Sequence, residues 1–389
     1  MMNINLLKFL DKYAGLPLCL LLTVLTRLFR REAPALRGEE IRRTLAMKFF
    51  GMGSILLLAP TLAEFRKTYP GSRLVFLTLG RNREISRALG LFDDIVTLDI
   101  DGGWAAFAGS FASVMRYLWK ERFDLVLDFE FFTRFSAIVS FFTFARVKVG
   151  YHAWETWRGN IHTIRVPFNR YWHISDSFYA LGTHIGLVKK EKLEPVRPLI
   201  SQADRDAVKG MLEAGGASGG YVCAYVSAGD LSVERRWPAD SFARLLGGLI
   251  ERGGPHVVLT GSGKETPYVR EMHRRLNSPR ALDFSGRLSV TQLAALLEGA
   301  KLVISNDGGP LHLAAAMGTR TVSFFGPETP VIYGPLGEGH SVFFKNIECS
   351  PCINVHDRKS VRCYWTEARC MQAIDPEEVL KEVEKKLAR

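Results

Sequence analysis

Several things are scarce in this sequence, and each scarcity narrows what the chain can be. Acid is scarcer than base: 40 aspartates and glutamates face 51 lysines and arginines across 389 residues, a net charge of +11. A basic surplus suits nucleic acid, an anionic membrane face or a phosphorylated substrate. No RNP, helix-turn-helix or zinc-finger pattern is present, so nucleic acid is not an expected partner. Cysteine is limited to six residues. The apolar N-terminal stretch has no small-residue cleavage site of the A-x-A type, which points to the cytoplasm and to thiols kept reduced. The uncharged run near the N-terminus, Tyr13 to Thr26, contains Pro17 and falls short of the roughly 20 residues a spanning helix needs. No internal repeat and no low-complexity tract stands out. What remains is 47% hydrophobic, enough to bury two cores of ordinary size.

Residues 1–38 form an apolar and basic extension. Lys8 and Lys12 precede the leucine-rich run, and Arg27, Arg30 and Arg31 follow it. Within residues 1–50 there are nine lysines and arginines against four acids. A helix packed on the protein's own surface and an interfacial membrane anchor both fit this pattern. Clustered arginines beside leucines favour the anchor, with an anionic membrane surface as partner and a peripheral site on the inner face of the cytoplasmic membrane.

From Thr44 onward, short apolar strands alternate with amphipathic helices. The pattern predicts strands over 44–50, 73–79, 95–98, 124–129 and 146–149, and helices over 54–68, 82–89, 104–121 and 132–144. Residues 151–172 break the rhythm with irregular, aromatic and basic sequence, and a helix over 173–186 follows. The charged, proline-containing segment 189–198 reads as a linker. Strands are then predicted over 221–226, 256–260, 281–284, 301–305 and 320–325, with helices over 203–214, 239–252, 265–276, 290–299 and 310–317. Such βα alternation means parallel sheets with helices on both faces. The expected organisation is two α/β, Rossmann-like doubly wound domains, residues 39–188 and 199–389, after the extension.

The stretch around which the rest is arranged is KLVISNDGGPLHLAAAMGTRTVSFFG, residues 301–326. A buried strand leads into Asn306-Asp307-Gly308-Gly309-Pro310 and then a helix. Pro310 fits a first helical turn, where no N–H is needed. Gly308 and Gly309 let a ligand approach amides at a helix N-terminus, which is where a phosphate is held. An ordinary αβ turn has the same outline.

NDGGPLHLAAAMGTRTVSFFG, together with FGMGSILLLAPTLAEFRKTYPG, RRWPADSFARLL and a cysteine-bearing tail, resembles the ADP-heptose:lipopolysaccharide heptosyltransferase family, the inverting glycosyltransferases of family 9. The likeness runs from about Thr44 to the C-terminus. It implies the GT-B architecture, two Rossmann-like domains facing a cleft. It also implies an ADP-heptose-type donor, a lipid-linked glycan acceptor, no catalytic cofactor, and donor diphosphate on Asp307, Gly308, Gly309, Pro310, Leu311 and His312.

Glycosyl transfer must neutralise a leaving diphosphate, deprotonate an acceptor hydroxyl and align the sugar. For the first task Asp99-Ile100-Asp101 offers a metal-type D-x-D, a pattern common by chance. Arg235, in ERRWP after Ser227 and its loop, offers a cation where the family commonly has lysine; a solvated basic pair is the alternative. Glu265 matches a family glutamate that accepts ribose hydroxyls, and equally suits a helix N-terminus.

The base is where this sequence departs from its relatives. After Gly53, where the family usually carries a deprotonating Asp, this chain has Ser54. Glu130, just past the end of a buried strand, is the candidate base, and Arg134, one turn on, is placed to hold an anionic acceptor group. Loss of the family Asp keeps a second reading open, a catalytically inactive nucleotide-sugar-binding protein. Cys349, Cys352, Cys363 and Cys370 form a tetrad that suits structural zinc, or simply reduced thiols.

Overall fold

The computed structural model describes residues 4–28, 41–153, 156–229, 232–353 and 363–388; Arg30, Arg31 and Gly38 lie outside the described residues. The chain divides into two units, Met1–Leu193 and Glu194–Arg389. In each, apolar strands largely alternate with helices, and helical crossovers join most of the neighbouring parallel strands.

The first unit begins with α1 (Ile4–Tyr13) and α2 (Gly15–Leu28). Then come β1 (Arg43–Met47), α3 (Met52–Thr68), β2 (Arg73–Leu79), α4 (Arg83–Ala88) and β3 (Asp94–Leu98). They are followed by α5 (Gly103–Glu121), β4 (Leu125–Asp128), α6 (Phe135–Phe142), β5 (Val147–His152), β6 (Ile164–Pro167) and α7 (Ile174–Thr183). The strands lie in the order β3-β2-β1-β4-β5-β6, all parallel.

The second unit runs α8 (Gln202–Ala214), β7 (Tyr221–Tyr225), α9 (Ala239–Glu251), β8 (His256–Thr260), α10 (Thr266–Leu276) and β9 (Ala281–Asp283). It continues with α11 (Val290–Gly299), β10 (Leu302–Asn306), α12 (Gly309–Ala316), β11 (Thr321–Phe325) and α13 (Pro330–Tyr333). It closes with β12 (Ser341–Phe344), α14 (Arg369–Gln372) and α15 (Pro376–Leu387). Its order, β12-β11-β10-β7-β8-β9, is the same winding as the first sheet. Each sheet therefore has one switch point, between β1 and β4 and between β7 and β10, where a crevice opens at the strands' C-terminal ends.

Central strands are buried on both faces, so they read as continuous apolar runs and were placed within two or three residues by sequence alone. Two strands were not anticipated. β6 and β12 are four-residue edge strands, too short for a periodic pattern to stand out, although Val166 of β6 is buried. β6 lies inside the segment that reads as irregular.

The extension joins the first unit. Gly15, Cys19, Leu22 and Thr23 form a buried stripe at helical spacing, and Cys19 and Leu22 pack with Ala137 and Ile161. The Thr23 hydroxyl accepts the Asn160 N–H at 2.9 Å. Gly159, at φ 78°, allows this approach, since a Cβ there would stand 2.9 Å from Thr23 Oγ1. Asp11 Oδ1 accepts from Thr133 Oγ1 (2.8 Å) and from the amides of Arg134 (2.8 Å) and Phe135 (3.0 Å), capping α6 from another helix. The opposite face leaves Phe9, Tyr13, Leu20, Leu21, Val24 and Leu28 exposed. The helix is also longer than its uncharged run suggests. It continues through Asp11 and Lys12, and Phe9–Leu28, with mean hydropathy 1.4, is long and apolar enough to cross a membrane.

Candidate functional site

In the second unit the switch point is fastened by one side chain. Asn306, the last residue of β10, donates from Nδ2 to the carbonyls of Val226 and Ser227, both at 3.0 Å. Its Oδ1 accepts the Trp237 N–H at 2.8 Å. Three segments distant in sequence are thereby held together, and the cost of burying an amide side chain is offset by the bonds it makes. Beyond it, Gly308 is extended, and a Cβ there would come within 3.2 Å of the Tyr225 ring. A side chain at this position would press on Tyr225 of β7. Pro310 stands in the first turn of α12, as its missing N–H predicts. The first amides of that helix have no intrahelical acceptor and carry the positive end of its dipole.

Arg235 reaches this helix start. Nη1 donates to Asp307 Oδ2 at 3.0 Å and to the Asp307 carbonyl at 3.2 Å, while Nη2 donates to the Ala228 carbonyl at 2.6 Å. Glu265 is buried alongside. Its Oε1 accepts from the Tyr225 hydroxyl (2.7 Å) and the Gly229 amide (3.1 Å), and its Oε2 from the amide and hydroxyl of Ser262 (both 2.8 Å). Burial pushes the carboxyl pKa up, but hydrogen bonds from the amide and hydroxyl of Ser262 and from Tyr225 outweigh this and hold it below its ordinary value. A carboxylate has about four acceptor sites. Those of Glu265 are taken up by the protein, so here it fixes the 225–229 loop, and a ribose hydroxyl would have to replace one of these donors.

The structure thus brings Ser227, Arg235, Glu265, Asp307, Gly308, Gly309 and Pro310 to one crevice. Leu311 and His312 follow on α12, both buried. A guanidinium beside the first amides of a helix suits an anion with two or more oxygens to place, such as a diphosphate.

At the first unit's switch point, Gly51 takes φ 85° to turn β1 into α3, and Gly53 and Ser54 lie in the first turn of that helix. Beside them is a buried ionic network. Glu130 is 0% exposed: Oε1 accepts the amides of Phe49 (2.7 Å) and Phe50 (3.1 Å), and Oε2 lies 3.0 Å from Lys48 Nζ. In this arrangement the expected base is enclosed, with Oε1 held by two amides and Oε2 facing Lys48. Lys48 is itself covered by the rings of Phe131, Phe132 and Phe178. Arg158 donates to Asp128, Ser136 and the carbonyls of Glu130 and Thr133. His162 Nε2 stands 3.1 Å from Asp128 Oδ2. Burial raises the Asp128 pKa, yet the charges of Arg158 and His162 bring it below the ordinary value. Burial lowers that of His162, more than Asp128 restores. Arg134 is 6% exposed and lies 3.7 Å from the Asp11 carboxylate, so the group expected to meet an acceptor anion already meets one from the extension.

Sequence reasoning missed Lys48, Arg158, His162, Asn306 and Asp11. The signal for Lys48 was a lone lysine inside an apolar run at a strand end. The others are polar residues whose partners are remote in sequence.

The D-x-D is used locally. Asp99 Oδ1 accepts the amides of Asp101 (2.8 Å) and Gly102 (3.0 Å), and these bonds lower its pKa. In the tail, Cys349, Cys352, Cys363 and Cys370 are free thiols. Burial pushes Cys370 up to about 11, with the neighbouring cysteines adding to the effect. Among the described residues no three His, Cys, Asp or Glu side chains cluster closely enough to hold a metal ion, so the tetrad as placed is not a ligand set.

Two parallel sheets of identical winding, each with one switch point, are the two Rossmann-like domains of the GT-B class of fold. The sequence profile of glycosyltransferase family 9 (heptosyltransferase) matches residues 111–362. The chain belongs to that family. Lipopolysaccharide heptosyltransferase 3 of Escherichia coli is 24% identical over 298 residues, which is 73% of this chain and 83% of that protein. Among solved structures, a family 9 glycosyl transferase from Veillonella parvula superposes with a TM-score of 0.73 at 19% identity, covering 92% of this chain and 99% of the other. The E. coli ADP-heptose lipopolysaccharide heptosyltransferase II gives 0.72 at 18% identity, covering 89% and 98%.

Proposed function

We propose that the chain transfers a heptose or related sugar, with inversion, from an ADP-sugar to a lipopolysaccharide-core or other lipid-linked glycan acceptor, and does so without a catalytic metal. The observation that supports this most is Arg235 beside the α12 start, where a cation and backbone amides meet as a leaving diphosphate requires. Two relatives, a lipopolysaccharide heptosyltransferase and an ADP-heptose heptosyltransferase, support the choice of donor and acceptor. On this reading residues 199–389 hold the donor and residues 39–188 the acceptor.

The acceptor oxygen attacks the anomeric carbon, the bond to the diphosphate oxygen breaks, ADP departs, and the hydroxyl proton passes to a base. For Glu130 to be that base, Lys48 must release it. Otherwise the pair serves only to hold the turn that carries Ser54. Ser54 and the enclosed Glu130 together favour a second reading, a nucleotide-sugar-binding protein without transfer.

The exposed leucines of the extension, with Lys12 and Arg27 beside them, suit an anionic bilayer, so the working place is the inner face of the cytoplasmic membrane. Removing residues up to Gly38 would uncover Ala137 and Ile161 and uncap α6. The gentler test is Leu20→Gln with Leu21→Gln, which should release the full chain from anionic vesicles.

A thermal-shift series across nucleoside diphosphates tests the donor site, since a bound ligand stabilises the fold by mass action. ADP should raise Tm more than UDP or GDP. Equal shifts for all, or none, would remove the ADP-sugar assignment.

A further inference from the structure

The C-terminal end of α6 carries a residue that the backbone disfavours and solvent does not want. Phe144 sits at φ 55°, in the left-handed region, where a helix end is usually closed by glycine or asparagine. Its amide closes back on the Phe141 carbonyl at 3.2 Å. A bulky side chain in this region is a genuine outlier. Packing does not repay it, because Phe144 is 70% exposed.

Trp119, on α5, is half exposed, and its indole donates to the Phe142 carbonyl at 2.7 Å, two residues from Phe144. Phe142 in turn packs against the cluster that contains Cys19 and Leu22 of the extension. Trp119 and Phe144 are thus continuous with the docked N-terminal helix. Exposed basic residues flank both aromatics: Lys120 and Arg122 beside Trp119, Arg146 beside Phe144. The extension's exposed face adds Lys12 and Arg27 among its leucines.

We propose that Trp119 and Phe144 form the second half of a membrane-docking surface whose first half is the extension, and that the occupant is an anionic lipid bilayer. The inference rests on the membrane association proposed above, and extends it from the N-terminal helix to the folded domain. Because Asp11, Cys19, Leu22 and Thr23 hold the helix to that domain, the helix lies along the bilayer surface instead of crossing it. Phe144 enters the acyl boundary as a wedge. Trp119 sits at headgroup level, where an amphipathic ring is favoured, and the basic side chains meet anionic headgroups. Such a surface would bring the acceptor-side switch point to a lipid-linked substrate.

The test is co-sedimentation of the full chain with vesicles of phosphatidylglycerol mixed with phosphatidylcholine, and with phosphatidylcholine alone. Phe144→Gly is the informative variant. Glycine relieves the left-handed backbone, so Tm should hold or rise, while the vesicle partition coefficient should fall by about tenfold, the worth of burying one such side chain. Trp119→Gln should also weaken partitioning, and wild-type binding should drop when phosphatidylglycerol is omitted. If Leu20→Gln with Leu21→Gln releases the protein but Phe144→Gly and Trp119→Gln bind like wild type, the surface is confined to the extension and the inference is overturned, while membrane association stands. If wild type ignores both vesicle types, or self-associates through this face, the membrane reading and the inference fall together.

Discussion

Arg235 Nη1 lies 3.0 Å from Asp307 Oδ2, joining the loop that follows β7 to the turn that starts α12. Both side chains are nearly buried, so the pair is more than a surface ion pair. It holds the guanidinium at the place where a diphosphate would meet the helix amides. Arg235→Ala should therefore weaken ADP binding by about 1.5–3 kcal/mol, the usual worth of a hydrogen bond to a charged group. Arg235→Lys should keep part of it, since charge survives while the planar fork is lost. Titration calorimetry with unchanged ADP affinity in the alanine variant would detach Arg235 from the donor site.

If Arg235 and the α12 amides neutralise the leaving group, sugar transfer should persist through a brief exposure to EDTA. Activity that disappears and returns with magnesium or manganese would restore Asp99 and Asp101 to the mechanism.

Glu130 and Lys48 are both sealed from solvent, so removing one charge strands the other. Glu130→Gln should destabilise the first unit by about 3–5 kcal/mol, measured by denaturant unfolding. The double variant Lys48→Met/Glu130→Gln should recover much of that stability. If Glu130 is also the base, turnover in the double variant stays about 10²–10⁴-fold down with donor affinity nearly unchanged. If turnover recovers along with the fold, the pair is structural and the acceptor's proton goes elsewhere.

His162 supplies a pH dependence with a definite sign. Its pKa is lowered on folding, so below about 6.5 the unfolded chain takes up a proton that the folded chain refuses. Stability should decline as pH falls through that range, by up to about 1.4 kcal/mol per pH unit for this one group. Asp128, also lowered, adds a second loss in stronger acid, as pH falls through its own depressed range. Thermal unfolding from pH 7.5 to 5.5 (about the span in which an unperturbed His titrates) should show a shallower slope for His162→Gln. An equal slope in both proteins would place the titrating group elsewhere.

Strands such as Leu302–Asn306 and the glycine-proline turn after them were legible because buried parallel strands and helix starts impose local residue choices. Arg235 was singled out by its likeness to the family's lysine ahead of Trp-Pro, and the structure places it against Asp307 at the start of α12. Glu130 shows the limit. Its place at a strand end could be read, but not the Lys48 partner, because that pairing depends on how β1 and β4 lie side by side. Asp11 is a longer-range case. A carboxylate in an apolar helix looks like an interruption until Thr133, Arg134 and Phe135 are seen to receive it. The edge strands β6 and β12 escaped notice because four residues are too few to establish a periodicity.

Transfer itself is the most direct measurement. The full chain is incubated with ADP-heptose and a lipid-linked lipopolysaccharide-core acceptor in the presence of anionic vesicles, and ADP release is followed together with the mass and anomeric configuration of the product. The expected result is stoichiometric ADP and heptosylated acceptor with the anomeric configuration inverted, both lost in Arg235→Ala at limiting donor. ADP-heptose that binds tightly but is never transferred to any such acceptor would contradict the transferase assignment and leave a nucleotide-sugar-binding protein in its place.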